Sequence, residues 1–175
     1  MDNIQSLITY YPYSERELYT PEFFEDSLCL LNLKQNQWRA INHFKNRFNQ
    51  RLEEFKPFDY LLVIPGHNIG VSDFYQSVRA MLIEQDKLFP ISRRIKVTKT
   101  TDYHDRSART IATVLEEIKT TVDCQWGALR GKHIVLVDDV TTTGISLRSY
   151  KKYLLGILGN NVQVTMFAIG VTRNN

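Results

Sequence analysis

The sequence predicts a single α/β domain: a mainly parallel sheet of about five strands with helices on both faces. Three observations predict it. Short apolar runs alternate with segments of helical spacing from residue 36 onward, and that alternation requires parallel crossover connections. Residues 134–137, IVLV, form an unbroken apolar run of the kind found in a buried central strand. The 175 residues are 43% hydrophobic and 23% charged, which suits one globular domain with a sizeable core.

Residues 1–35 come first and carry Tyr10, Tyr11, Tyr13, Tyr19, Phe23 and Phe24 among Pro12, Pro21 and several acids. So much aromatic surface excludes a disordered arm and predicts short strands and turns. The N-terminus has no apolar core of a signal peptide, and no stretch approaches the length of a membrane span. A cytoplasmic location is therefore expected, with Cys29 and Cys124 as thiols, since they lack metal-ligand spacing. The net charge of +3 suits a polyphosphate ligand and does not by itself argue for nucleic acid.

Residues 36–55 predict the clearest amphipathic helix, with Trp38, Ile41, Phe44, Phe48, Leu52 and Phe55 recurring at spacings of three and four. Arg39, Lys45, Arg47 and Arg51 hold the opposite face, and His43 reads as a solvated residue of that face. Pro57 ends the helix, and residues 60–64 predict a second buried strand. The loop Pro65, Gly66, His67, Asn68, Ile69, Gly70 follows, with Ser72 as N-cap of a helix running to about residue 85. Phe74, Val78, Met81 and Leu82 form its inner face. Strand, glycine-bearing loop and helix together describe an anion cradle.

Residues 93–109 hold six Arg or Lys against two Asp. A short strand is expected at 94–98 and a polar loop at 99–105. A helix follows at 107–119, with Ile111, Val114, Leu115 and Ile118 inward. The central stretch then runs 133–150, HIVLVDDVTTTGISLRSY. After the apolar strand come Asp138 and Asp139, then Val140, Thr141, Thr142, Thr143 and Gly144. From there the spacing turns helical, with Ile145, Leu147, Tyr150, Leu154 and Ile157 near one face. Each part suits a sugar carrying a phosphate. Backbone N–H groups and hydroxyls at a helix start hold an anion well, and Gly144 admits close backbone approach. Two carboxylates at the carboxyl end of a strand accept hydrogen bonds from two vicinal ribose hydroxyls. Gly156, Gly159 and Asn160 stop the helix, and residues 162–171 predict the last strand, with the chain ending four residues later.

Over thirteen positions, residues 134–146 closely resemble the phosphoribosyl-pyrophosphate (PRPP) motif of type I phosphoribosyltransferases. That motif is four apolar residues, two acids, several apolar or small residues, Gly, any residue, then Ser or Thr. Here it reads IVLV, DD, VTTT, G, I, S, and Thr141 departs from it, since an apolar residue is commoner there. The resemblance covers roughly residues 58–172 and implies a type I phosphoribosyltransferase-like domain over 36–175. Residues 1–35 are then either a hood over the acceptor or a cover for one end of the core. The resemblance implies Mg²⁺ as cofactor, with PRPP and an unidentified acceptor as substrates.

Under it, Asp138 and Asp139 take the ribose hydroxyls and Mg²⁺, and Val140, Thr141, Thr142, Thr143, Gly144 and Ser146 cradle the 5′-phosphate. By order along the chain, Gly66, His67 and Asn68 match the pyrophosphate loop, although PGHNIG is not its usual form. His67 reads equally as a pyrophosphate donor and a turn residue. Lys96 and Lys99 belong to a basic flexible lid that stabilises the departing pyrophosphate. Gly131 and Lys132 before the strand, with RRIK and a later Arg, resemble the ComF-type, competence-associated branch. The chain lacks that branch's cysteine zinc module, and Thr101 and Thr113 stand near its usual Gln and Asn. Two other functions fit the same residues: a non-catalytic PRPP or nucleotide sensor, and a nucleic-acid-associated accessory protein. No membrane partner is expected, and a homodimer is open.

Overall fold

The computed structural model describes residues 3–12, 20–97 and 109–172. The N-terminal stretch forms a strand, β1 (Ile4–Tyr10), as expected, but then a thirteen-residue helix, α1 (Pro21–Leu33), in place of the further short strands and turns expected. Proline at the first turn of α1 is preset for helical φ, and its missing N–H is one the helix leaves unpaired anyway. Tyr13 and Tyr19 lie outside the described residues.

Helix α2 (Trp38–Glu54) buries Ala40, Ile41, Phe44, Phe48 and Leu52, following the predicted spacing. Trp38, expected on that face, is 70% exposed. It is the first helical residue, and helical side chains lean toward the N-terminus, so its ring projects past the packed turns. Strand β2 is Tyr60–Val63, and α3 is Asp73–Met81. Helix α3 ends about a turn earlier than its pattern suggests. Asn49 of α2 terminates it, donating to the Met81 carbonyl at 2.9 Å and accepting from the Ile83 N–H at 3.2 Å.

The expected strand at 94–98 is replaced by β3 (Ser92–Arg93), which pairs antiparallel with β4 (Val122–Asp123). Between them, α4 spans Ile111–Thr121. It starts where Thr110 and Thr113 form a reciprocal capping box, a local signal that outranks the looser helical spacing before it. Residues 98–108, which include the loop expected at 99–105, lie outside the described residues. Strand β5 (His133–Thr141) continues through the acidic pair, α5 spans Ile145–Leu158, and β6 spans Gln163–Thr172. Gly156 sits inside α5, and Gly159 terminates it at φ 76°.

Among the described residues the main sheet has four strands in the order β1-β6-β5-β2, every neighbour parallel. The expectation of about five is corrected to four. A fifth place beside β2 holds only a bridge between Leu61 and Leu88. Pro90 follows two residues later and has no N–H with which to extend a ladder.

Period-two alternation gives each strand two apolar faces. Leu61, Val63, Val135, Val137, Phe167 and Ile169 pack under α1, α2 and α3. Leu62, Ile64, Ile134, Leu136, Met166 and Ala168 pack under α4 and α5. The sheet is covered on both faces as expected, and this fixes the two sides of the site at its carboxyl edge.

Candidate functional site

Strands β2 and β5 are parallel neighbours, so the chain segments that leave them emerge side by side. Between those segments lies an open cleft of about 440 Å³. Its wall includes Pro65, Gly66, His67 and Asn68 after β2, Asp138, Asp139 and Val140 of β5, and Ser146 at the start of α5. The structure thus brings together residues proposed from two separate parts of the sequence, the loop after β2 and the stretch 134–146. It is the position at which open α/β sheets bind ligands.

The two acids do not project side by side. Strand β5 runs on to Thr141, so the pleat sends consecutive side chains to opposite faces. Asp139 follows Val135 and Val137 toward α1, where its carboxylate accepts from Lys34 Nζ at 3.1 Å. Asp138 continues the Ile134 and Leu136 face, toward α4 and α5. Each carboxylate also accepts the next backbone N–H, Asp138 from Asp139 at 2.9 Å and Asp139 from Val140 at 2.5 Å. Burial and the adjacent Asp139 charge push the Asp138 carboxyl well above the ordinary carboxylate range. The Asp139 amide, Lys34 and Arg109 offset only part of that rise.

The loop after β2 is fixed from behind. Arg93, 3% exposed, donates through Nε to the Gly66 carbonyl, through Nη1 to Thr121 Oγ1 and through Nη2 to Glu117. Gly70 exchanges two backbone hydrogen bonds with Arg93, at 2.7 and 3.0 Å, and Val97 donates to the His67 carbonyl at 2.9 Å. Gly70 sits at φ 86°, which glycine alone adopts cheaply. Ser72 caps α3 as predicted, accepting the Tyr75 N–H at 3.1 Å.

On the other wall, Arg109 donates to Ser146 Oγ at 3.1 Å, which places a guanidinium at the N-terminus of α5. The threonines split. Thr141 is buried, and Thr142 and Thr143 are exposed and do not line the cleft. Gly144 caps α5 at φ 71°. A Cβ there would run into Ile4 Cδ1 and the Arg148 guanidinium, so the glycine serves the fold as well as any ligand. Gly144→Val therefore strains the backbone before it tests a phosphate site. Lys96 is exposed and does not itself line the cleft, although its neighbour Val97 bonds the cleft-wall residue His67, and Lys99 lies outside the described residues.

Several cleft residues escaped the sequence reading as site residues, Lys34, Arg93, Arg109, Glu117 and Tyr150 among them. Arg93 and Arg109 were visible only as members of a basic run, which has no periodicity to show which of its charges turn inward. Lys34 follows α1 and carries no motif. Tyr150 was placed on the core face of α5 by spacing, and that face also floors the cleft.

Among the described residues no three His, Cys, Asp or Glu side chains gather to hold a metal. The oxygen donors of Asp138 and Asp139 suit Mg²⁺ brought in with a diphosphate, because that ion keeps waters and takes few protein ligands. Fold and site together define an α/β domain with a four-strand parallel sheet and a cleft at its carboxyl edge, lined by the acids Asp73, Glu117, Asp138 and Asp139 and by the cations Lys34, Arg93 and Arg109, of which Lys34 pairs with Asp139 and Arg93 with Glu117. No protein-family model matches the chain, and no curated protein matches it.

Proposed function

We propose that the chain binds PRPP with Mg²⁺ and transfers its 5-phosphoribosyl group to an acceptor, releasing pyrophosphate. The observation that carries this reading is the meeting of Asp138, Asp139, Gly66–Asn68 and Ser146 in one cleft at the carboxyl edge of the sheet. The assignments follow from chemistry. Ribose hydroxyls donate to the Asp138 carboxylate, with Asp139, paired with Lys34, bordering the cleft from the other face of the sheet. The free N–H groups at the start of α5, with Ser146 and Arg109, receive the 5′-phosphate. The backbone of the loop after β2, held by Arg93, receives the diphosphate.

In the transfer, the bond from ribose C1 to the diphosphate oxygen breaks and its electron pair leaves with pyrophosphate. A lone pair of the acceptor forms the new bond to C1, and the acceptor proton passes to solvent or to the leaving group. Positive charge develops on the ribose ring, which the nearby carboxylates stabilise, and negative charge on the leaving group, which Arg109 offsets. When bound through Asp138 or Asp139, Mg²⁺ supplies charge neutralisation at the diphosphate.

Calorimetric titration with PRPP and Mg²⁺ tests binding. A pyrophosphate-release assay across nucleobases and simple amines tests transfer and names the acceptor. Micromolar binding with release supports the proposal, and no binding removes it.

A second reading, a PRPP or nucleotide sensor, keeps the same site without turnover. It is favoured by the exposure of Lys96, whose side chain does not line the cleft. Binding without pyrophosphate release from any acceptor would select it. The nucleic-acid reading gains nothing from α2, where Arg47 and Arg51 are already paired with Asp26 and Glu54.

A further inference from the structure

We propose that Tyr150 reads a hydroxyl group of the bound sugar at the floor of the cleft, beside Asp138. The inference deepens the sugar-phosphate reading and rests on it. Tyr150 stands four positions after Ser146, beyond the motif that suggested the ligand. Its ring packs in the cluster between α5 and the sheet and is 1% exposed, yet the residue lines the cleft. Its Oη is buried and has no hydrogen-bond partner among the described residues.

A buried hydroxyl without a partner destabilises a protein, because the group has left water for nothing. Phenylalanine would fill the same space without that cost. Packing therefore explains the ring and leaves the oxygen unexplained. What explains the oxygen is a group that enters the cleft and meets it.

The surroundings say which group. Arg93 and Glu117 lie near Tyr150, but Arg93 is committed to Gly66, Thr121 and Glu117 Oε1, and neither residue partners the Tyr150 hydroxyl. Asp138 shares the cleft wall with Tyr150. A carboxylate only accepts, whereas a phenol both donates and accepts. The ligand group that completes this pair donates to Asp138 and accepts from Tyr150, which is what a sugar hydroxyl does. A phosphate oxygen is repelled by Asp138, and a metal ion does not accept from an O–H.

The test compares the wild type with Tyr150→Phe by calorimetry against ribose 5-phosphate, 2-deoxyribose 5-phosphate and 3-deoxyribose 5-phosphate. Thermal unfolding of both free proteins runs alongside. Removing a ligand-reading hydroxyl should leave the free protein as stable or more stable, and weaken ribose 5-phosphate roughly fivefold, the worth of one neutral hydrogen bond. The deoxy sugar that lacks the hydroxyl in question should bind both proteins alike, since the lost partners are the same pair.

Equal ribose 5-phosphate affinity in the two proteins overturns the inference. So does the same loss for all three sugars. A free variant that unfolds at lower temperature also overturns it, because the hydroxyl then holds a structural water. In each of these results the wild type still binds the sugar phosphate, so the proposed function stands. If the wild type binds neither ribose 5-phosphate nor PRPP with Mg²⁺, that function falls and the role of Tyr150 falls with it.

Discussion

Asp138 holds its proton more tightly in the folded chain than in the unfolded one, because burial and Asp139 both oppose its charge. A raised acid pKa makes stability greatest at acid pH and erodes it as pH rises through the folded value. Asp138→Asn cannot ionise and removes that erosion. The free variant should unfold at higher temperature than wild type at pH 7.5, with the gap closing toward pH 4. Ligand binding should run the other way. Accepting ribose hydroxyls needs the ionised form, so affinity for ribose 5-phosphate should climb with pH over the same window. The double variant Asp138→Asn, Asp139→Asn should lose at least roughly tenfold in affinity while remaining folded, as charged hydrogen bonds would predict. Unfolding and titration series across pH check both, and an Asp138→Asn protein less stable than wild type at pH 7.5 would count against the assignment.

Helix α1 brings Lys34 to the acidic pair, and its own seating depends on α2. Asp26 of α1 accepts from His43 Nε2 at 2.6 Å and Arg47 Nη1 at 2.9 Å, and Arg47 also reaches the Leu7 carbonyl of β1. His43, read from sequence as a solvated residue, is instead part-buried in this junction, its ring edge-on to Phe44 at 4.8 Å. Burial by itself would raise the Asp26 carboxyl, and the hydrogen bonds from Arg47 and His43 more than offset it, so it titrates below the ordinary value. A depressed acid pKa contributes stability above the unfolded value and loses it as pH falls through the folded one. Asp26→Asn should therefore cost about 1 kcal/mol or less at pH 7, given partial solvent screening, and nothing at strongly acid pH. Urea unfolding at the two pH values measures this; a cost that does not change with pH would mean the junction works by shape, not charge.

For the whole molecule, the proposed transfer carries a prediction about its acceptor. In the 6-oxopurine enzymes of the resembling family an Asp three positions after the acidic pair assists proton transfer at the purine. Thr142 occupies that position here, exposed and outside the cleft wall. A threonine hydroxyl does not ionise near neutral pH, and Thr141 and Thr143 offer no carboxylate in its place. Hypoxanthine and guanine should be weak acceptors or none. Steady-state assays with both purines, PRPP and Mg²⁺ decide it, and kcat/KM of about 10⁴ M⁻¹s⁻¹ or above would refute it.

Local patterns foretold the α/β class, the buried strand at 134–137, the core face of α2, the Ser72 cap and the order of the acidic pair, threonine loop and helix. Each rests on spacing among near neighbours, which strand pleat and helix period impose on any chain. Only the tertiary structure decided that β1 completes the sheet as an edge strand beside β6, and that Pro90 leaves the opposite edge a single bridge. It also split Asp138 from Asp139 across the pleat and brought Lys34, Arg93, Arg109 and Tyr150 to one cleft. Those meetings join residues far apart in the chain. They follow from which faces pack together, and no pattern among sequence neighbours records that.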